Sequence, residues 1–92
     1  MAAEAARSTE IAVKIVTPER VTFEGIAQRL QAPGWLGEFG VLPRHAPMLT
    51  LLRAGTVTLE TATGTVRWNV GTGFAEVGPT HVTILVESST AA

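Results

Sequence analysis

The sequence predicts an all-β domain, a two-sheet antiparallel β-sandwich or flattened barrel of about 8–10 short strands. Three observations support this prediction. Apolar and polar residues alternate with a period of two through most of the chain, as strands with one buried face require. Nine Gly and five Pro divide the 92 residues into strand-length runs, with turn signals about every 8–12 residues. No stretch keeps the three-and-four apolar spacing of an amphipathic helix.

The first strand is predicted in the segment EIAVKIV, residues 10–16. Pro18 ends it, because Pro has no N–H for the ladder and restricts the residue before it. The segments VTFEG and IAQRLQA are predicted to be two further short strands, divided near Gly25. The apolar residues that share one face of the first strand are Ile11, Val13 and Ile15.

The second half of the chain has a clearer strand pattern. Two alternating segments flank the ATG turn at residues 62–64, which is typical of a β-hairpin with one buried face. FAEV and HVTILVE complete the predicted strands. Trp68 and Phe74 are predicted to be core residues. The other inward positions are Val57, Leu59, Val66, Val70, Val82, Ile84 and Val86.

The predicted domain covers residues 10–87, with a disordered tail on each side. Residues 1–9 begin with an Ala-rich stretch, Met1 to Ala6, that could form a helix but is too short to persist as one in water. Residues 88–92 have no apolar side chain large enough to anchor them to a core. The sequence therefore predicts one sandwich between two frayed ends.

Composition excludes several classes of function. Seven Lys and Arg against eight acidic residues give a formal charge of −1, without the basic footprint of a nucleic-acid binder. There is no Cys, so disulfides and thiolate chemistry are excluded. No apolar run approaches the roughly 20 residues of a membrane helix, and the N-terminus lacks the apolar core of a signal peptide. We expect a soluble cytoplasmic protein.

The residue inventory also argues against catalysis. Every acid is Glu, Tyr is absent, and the three Ser, Ser8, Ser88 and Ser89, lie in the predicted tails. His45 and His81 are the only imidazoles, too few for a metal site without Cys or Asp. The Gly-rich segments are not followed by the Lys-Ser/Thr of a phosphate-binding loop. We predict no catalytic, metal-binding or cofactor-binding residues.

The segment GEFGVLPRHAPML, residues 37–49, holds Glu38, Arg44 and His45 among apolar, Gly and Pro residues. The side chains of Glu38 and His45 suit a general acid and base, but no third polar partner is near in sequence, so partner contact or a structural role is favoured. Just before this segment, Trp35 and Leu36 lie between two glycines at the tip of a predicted hairpin. Two interpretations are open for Trp35: it folds back on the core, or it anchors an interface.

Three segments together resemble a known family. KIVTPERVTFEG, APGWLGEFGVLPRHAPMLTLLRAG and VGTGFAEVGPTHVTILVE are similar, in sequence and order, to the N-terminal β-sandwich of the epsilon subunit of F-type rotary ATP synthases. The resemblance runs from about Ile11 to Val86.

The resemblance implies a non-catalytic central-stalk subunit of a proton-translocating F-type ATP synthase, coupling the gamma subunit to the membrane c-ring during ATP synthesis. The motifs are equally compatible with a ring that carries sodium ions. The implied location is the cytoplasmic face of the bacterial inner membrane, within a hetero-oligomer, without insertion into lipid and without nucleic acid. The implied contacts are Trp35, Leu36 and Glu38 with the polar loops of the c-ring, and Thr17, His45, Met48 and Thr50 with gamma.

The chain departs from the family pattern in two places. Trp35-Leu36 replaces a polar or acidic pair, and Arg44 replaces the Gly of PGHAP, so we expect the PRHAP turn to avoid a positive φ. The family commonly continues into a two-helix hairpin that restrains ATP hydrolysis and in some members binds ATP, whereas this sequence ends at Ala92. We assign neither function to it. The alternative to the rotor subunit is a free-standing β-sandwich that binds a glycan or peptide on Trp35.

Overall fold

The structure, a computed structural model, describes residues 9–92, which form ten β-strands and no helix. The predicted all-β sandwich of short strands is confirmed. The predicted N-terminal tail lies outside the described residues except for Thr9. The strands are β1 (Ile11–Val16), β2 (Val21–Ala27), β3 (Arg29–Gly34), β4 (Gly37–Val41), β5 (Met48–Leu52), β6 (Gly55–Thr61), β7 (Gly64–Val70), β8 (Gly73–Val77), β9 (His81–Val86) and β10 (Ser89–Ala91).

The strands form one hydrogen-bonded sheet folded over on itself, in the order β10-β7-β6-β3-β5-β8-β9-β1-β2, with β4 on the other edge of β3. The sheet bends back on itself at a corner, where β5 is followed almost directly by β6. β3 spans that corner, since Gly34 pairs with Leu52 of β5 and Leu30 pairs with Leu59 of β6. Two layers result: β10-β7-β6-β3 and β5-β8-β9-β1-β2.

Neighbouring strands are antiparallel except β1 and β9, which run parallel among the described strands. The antiparallel prediction did not include this pair. Because the two strands lie far apart in sequence, no tight hairpin fixes their relative direction. β1 is therefore paired on one edge with β9 and on the other with β2.

The core is the apolar filling between the two layers. The inward residues of β1, β9 and the β6–β7 hairpin are buried as the period-two alternation predicts. Trp68 packs against this core and lies 5.9 Å from the ring of Phe23, centroid to centroid, which confirms its predicted place. The largest side chains that are fully buried are Ile11, Ile15, Leu30, Leu52, Leu59 and Ile84.

The structure corrects the predicted division at Gly25. β2 continues through Gly25, because that residue pairs with Val13 in the ladder with β1. The break comes instead at Gln28, whose N–H donates to the carbonyl of Glu60, 2.8 Å away. A glycine within a strand weakens it without ending it when both neighbours keep their ladder bonds.

The prediction that residues 88–92 are disordered is wrong. Ser89–Ala91 form β10 against β7, and the N–H of Ala92 donates to the carbonyl of Arg67 over 3.0 Å. The Thr22 hydroxyl donates to the Ser89 hydroxyl across the seam to β2. The segment has no hydrophobic pattern because it serves as a backbone partner, covering an edge that β7 would otherwise leave unpaired.

Candidate protein-docking surface

The hairpin joining β3 and β4 carries the first set of predicted site residues. Trp35 and Leu36 form its two-residue tip, and Gly37 closes it with φ +136°, a conformation that suits glycine. Trp35 is 53% exposed and Leu36 is fully exposed. Of the two interpretations left open for Trp35, the structure excludes the core.

The exposed indole of Trp35 is held in place. Its backbone N–H donates to the carbonyl of Leu51, 3.0 Å away, which ties the tip to β5. Arg53 lies over the ring, with Cζ 5.6 Å from the centroid, and its own N–H bonds the carbonyl of Pro33. A guanidinium over an indole is attracted by the ring's quadrupole. The aromatic side chain is thus an ordered surface feature of the hairpin.

Glu38 lies on β4, directly opposite Pro33, and its side chain is exposed. His45 lies beyond the other end of the same strand, so the acid and the imidazole are not brought together. His45 Nδ1 is 2.7 Å from the carbonyl oxygen of Ala46, to which a protonated Nδ1 donates. Glu38 and His45 therefore do not form the general acid–base pair considered from the sequence.

Arg44 lies in the turn between β4 and β5 and has φ 69°. The expectation that this turn avoids a positive φ is wrong. The N–H of His45 donates to the carbonyl of Leu42, and Pro43 fixes a negative φ at the second position, so Arg44 occupies the third position of a type II turn. That position requires a positive φ, and the 2.7 Å bond from the Arg44 N–H to the Pro79 carbonyl holds it there.

Thr17 begins the turn between β1 and β2, and its hydroxyl serves that turn. Oγ1 accepts from the N–H groups of Glu19 and Arg20, each 3.4 Å away, and donates to the Arg20 carbonyl at 3.2 Å. The Thr17 hydroxyl is therefore already committed to local bonds, as in an ST turn. Any contact that Thr17 makes with a partner rests mainly on its methyl group and its position.

Met48 and Thr50 lie on β5 with their side chains turned toward the interior. They pair with the buried Val77 and Ala75 of β8, and Met48 packs against the core. The residues between them, Leu49 and Leu51, point outward and are 70% and 62% exposed. Neither leucine was among the residues predicted to contact a partner. In MLTLL, apolar residues occupy both alternating sets of positions, so the sequence allows either set to face outward. Only the pairing with β8 shows that Leu49 and Leu51 do so.

Phe74 is likewise on the outer surface, 41% exposed, so its predicted core position is wrong. The reason is the phase of β8, in which Ala75 and Val77 are the buried residues. Phe74 pairs with Leu51 on one side and with Leu85 of β9 on the other. Leu85 in turn pairs with Val16 of β1.

These pairings place an apolar row across four strands. We call the outer surface of β5, β8, β9 and β1 the apolar face; it carries Leu49, Leu51, Phe74, Leu85 and Val16. His45 and Thr17 mark its diagonal corners, because one precedes β5 and the other follows β1 at the opposite end. Trp35 adjoins the face at the end of β5. An exposed apolar surface of this extent is typical of a protein-interaction site.

Polar side chains border the apolar face. The row next to Leu51, Phe74, Leu85 and Val16 contains Leu49 followed by three polar residues, which are Glu76, Thr83 and Lys14. Lys14 Nζ lies 3.9 Å from the carboxylate of Glu24 on β2. An apolar centre with a polar rim is the usual composition of a protein interface.

Fold and surface together define a small β-sandwich module for docking to other proteins. The chain belongs to the family described as "ATP synthase, Delta/Epsilon chain, beta-sandwich domain", whose model matches residues 10–92. This confirms the resemblance found in the sequence. It also confirms that the chain is a subunit of a complex and is not itself catalytic.

Curated relatives agree with this membership. The chain is 48% identical over 73 residues to the ATP synthase epsilon chain of Caulobacter vibrioides, covering 79% of this chain and 85% of that one. It is 44% identical over 80 residues to the epsilon chain of Desulfatibacillum aliphaticivorans, covering 86% of this chain and 57% of that one. The chain thus spans most of the first relative and little more than half of the second.

Two solved structures share the fold at low sequence identity. One is a Euglena gracilis mitochondrial ATP synthase structure of OSCP, F1 and c-ring, with a TM-score of 0.83 and 20% identity, covering 90% of this chain and 54% of that chain. The other is the central stalk and c-ring of the Tetrahymena thermophila mitochondrial ATP synthase, with a TM-score of 0.70 and 13% identity, covering 92% of this chain and 67% of that chain.

In residues 9–92, no helix has the length and hydrophobicity needed to span a membrane.

Proposed function

We propose that this chain is a central-stalk rotor subunit of a proton-translocating F-type ATP synthase, and that it couples the gamma subunit to the c-ring at the cytoplasmic face of a bacterial inner membrane. Family membership supports the complex. The two structures of similar fold come from assemblies of F1 or central stalk with c-ring. Within such a complex, two surfaces of this chain would form the joint: the apolar face and the β3–β4 hairpin tip.

The apolar face is the main observation in support of a gamma-binding surface. Leu49, Leu51 and Phe74 expose large apolar side chains on neighbouring strands, and a partner that covers them removes apolar area from water at about 25 cal/mol per Å², before the cost of association is subtracted. A rotor joint must not slip under load, so it resembles an obligate interface, with an apolar centre and few charges. We assign this face to gamma, with Thr17 and His45 at its corners and Met48 and Thr50 supporting the outward leucines from beneath.

The hairpin tip is assigned to the c-ring. Trp35 and Leu36 offer apolar contact to the polar loops of the ring, and Glu38 offers a carboxylate for a loop cation. An exposed ion pair contributes only about 0.2–1 kcal/mol, which sets register but does not transmit torque. The tip therefore orients the module on the ring, while the face carries most of the binding energy to gamma. The contact with the membrane complex is through protein, without insertion into lipid.

Co-purification tests this proposal. The tagged chain, co-expressed with the gamma subunit of the same organism, is expected to recover gamma in a one-to-one complex that withstands moderate salt, because the interface is mainly apolar. Failure to recover gamma, in a preparation where gamma still associates with the other stalk and head subunits, would sink the proposal. The glycan or peptide module makes the opposite prediction: Trp35 fluorescence shifts with a sugar or peptide and does not shift with gamma.

A further inference from the structure

Trp35 and Arg53 are placed side by side by the backbone. Each lies one residue beyond the end of a strand, Trp35 after β3 and Arg53 after β5. The N–H of Trp35 donates to the Leu51 carbonyl over 3.0 Å, and the N–H of Arg53 donates to the Pro33 carbonyl over 2.9 Å. These two bonds make Trp35 and Arg53 diagonal neighbours across an antiparallel pair, close enough for an aromatic and a long side chain to meet. The main chain therefore fixes the relative position of the two residues.

The backbone bonds do not fix the indole ring of Trp35. The ring is half-exposed, and Trp35 is not among the side chains that pack against the core. It also borders an open groove of about 400 Å³, which Leu51 and Phe74 line as well. An exposed side chain beside open space changes rotamer within picoseconds to nanoseconds unless another group holds it. A stable orientation of the indole therefore requires a restraint from outside the core.

The guanidinium of Arg53 is placed to supply that restraint. Its Cζ lies 5.6 Å from the centroid of the Trp35 ring, inside the roughly 6 Å over which a cation is attracted to an aromatic face. Within residues 9–92, Arg53 has no carboxylate at ion-pair distance that would compete for its charge. Trp is also the aromatic residue that attracts a cation most strongly. The side chain of Arg53 is thus free to hold the indole.

We propose that Arg53 is a positioning residue, which orders the Trp35 ring for docking on the c-ring and acts through that ring rather than by a contact of its own. The proposal rests on the proposed function, and it adds the group that sets the shape of the hairpin tip. A side chain that is already ordered loses less conformational freedom on association, so more of its contact energy appears as affinity. The same hairpin with a mobile indole would bind more weakly through the same surface.

Ring motion in the isolated chain tests the first half of the proposal. The chain has two Trp, and Trp68 Nε1 has no hydrogen-bond partner among the described residues, so Trp68→Phe leaves Trp35 as the only indole without removing a bond. In time-resolved fluorescence anisotropy, Arg53→Gln is expected to raise the amplitude of fast Trp35 motion about twofold, and Arg53→Lys to restore most of the order. Arg67→Gln, at an exposed position of β7 on the other layer, removes the same charge and should change nothing. Fluorine NMR of the fluorotryptophan-labelled chain resolves both indoles and repeats the comparison without the Trp68 change.

Binding to the c-ring tests whether Arg53 acts through Trp35. The complex of the chain with gamma is titrated with purified c-ring in lipid nanodiscs, and thermal melts verify that each variant is folded. Arg53→Gln is expected to weaken binding about twofold to fivefold, and Arg53→Lys to keep most of the affinity. In a Trp35→Ala chain, Arg53→Gln is expected to cause no further loss, because the effects of two residues that act as one unit are not additive.

The outcomes separate this proposal from the proposed function. If the parent complex does not bind the c-ring, the assignment of the hairpin tip fails, and positioning for docking fails with it. If it binds, and Arg53→Gln weakens binding equally with and without Trp35, Arg53 contacts the c-ring directly and only the positioning role is overturned. Unchanged anisotropy in the Arg53→Gln chain would overturn that role too. A loss that requires Trp35, together with faster indole motion and recovery in Arg53→Lys, would support it.

Discussion

The two layers of the sandwich present very different outer surfaces. On β6 and β7 every residue that faces outward is polar, and the Thr56 hydroxyl donates a hydrogen bond to the Asn69 side chain across the pair. On β5 and β8 the outward positions are Leu49, Leu51, Phe74 and Glu76. Both layers contain strands with apolar residues at every second position, and both contribute buried apolar side chains to the core. The inner faces account for the fold, and the difference between the outer faces therefore needs another explanation.

Strand propensity does not supply that explanation. Thr and Leu both occupy strands, and the β6–β7 hairpin shows that this sandwich tolerates a fully polar outer surface. Apolar side chains on β5 and β8 thus add little to folding, and they raise the hazard of self-association. Their position beside the Trp35 tip points to a partner that covers them. We therefore expect substitutions on the inner faces to affect folding and substitutions on the outer face of β5 and β8 to affect docking.

The largest effect is expected inside the sandwich. Leu59→Ala on the inner face of β6 should lower the free energy of unfolding by about 2–5 kcal/mol, because it leaves a cavity among fully buried neighbours. Leu51→Ala on the outer face of β5 should cost less than about 1 kcal/mol. Urea unfolding of the two variants measures both. Equal losses would mean that Leu51 belongs to the core of the isolated domain.

Replacing either of the two hairpin glycines by Ala should destabilise the domain by the same amount. Gly37 and Gly64 both have φ +136° with open space where a Cβ would lie, although one follows Trp35-Leu36 and the other Ala62-Thr63. Each change to Ala should lower the free energy of unfolding by about 1–2 kcal/mol through backbone strain alone. Thermal melts of both variants make the comparison. A much larger cost at Gly37 would show that the apolar tip contributes to folding as well as to docking.

Replacing Arg44 by Gly should stabilise the domain slightly. Arg44→Gly removes the strain of a side chain at φ 69° but adds freedom to the unfolded chain, so the free energy of unfolding should rise by about 0–1 kcal/mol. Arg44→Ala is the control, because it removes the charge and keeps the strain; it should stay within about 0.5 kcal/mol of the parent. A loss in the Gly variant comparable to that at Gly37 would contradict the assignment of the turn.

The smallest effects are expected at the exposed ion pairs. Arg29 with Glu60, and Lys14 with Glu24, each span 3.9 Å between half-exposed side chains, one pair in each layer. Replacing either cation by Ala should change the free energy of unfolding by at most about 1 kcal/mol, and less at high salt. Denaturant curves at low and high salt measure this. A large, salt-dependent loss in only one layer would show that the layers differ in more than their outer faces.

Sequence reasoning recovered what alternation determines. The buried faces of β1, β9 and the β6–β7 hairpin follow from apolar residues at every second position, and the Trp35-Leu36 tip follows from its flanking glycines. It failed where alternation is ambiguous. In MLTLL, apolar residues occupy both phases, so only the pairing of β5 with β8 shows which leucines face outward.

Other features depend on contacts distant in sequence. The C-terminal strand forms because β7 has an edge to cover, and Ser89–Ala91 carry no pattern that would indicate it. The positive φ of Arg44 is fixed by a bond to Pro79, on the loop after β8. The apolar face arises where β5, β8, β9 and β1 lie side by side, although only β8 and β9 are consecutive in the chain. None of these can be found from local spacing.

Because the chain contains no Cys, a single introduced thiol can report which layer gamma covers. Leu49→Cys on the apolar face and Thr65→Cys on the outer face of β7 place single thiols at two exposed positions, one on each layer. Maleimide labelling of each is followed by mass spectrometry, with and without excess gamma. We expect gamma to slow labelling at position 49 at least about tenfold and to leave position 65 unchanged. Equal protection at both positions, or protection at position 65 alone, would contradict the assignment of the apolar face to gamma.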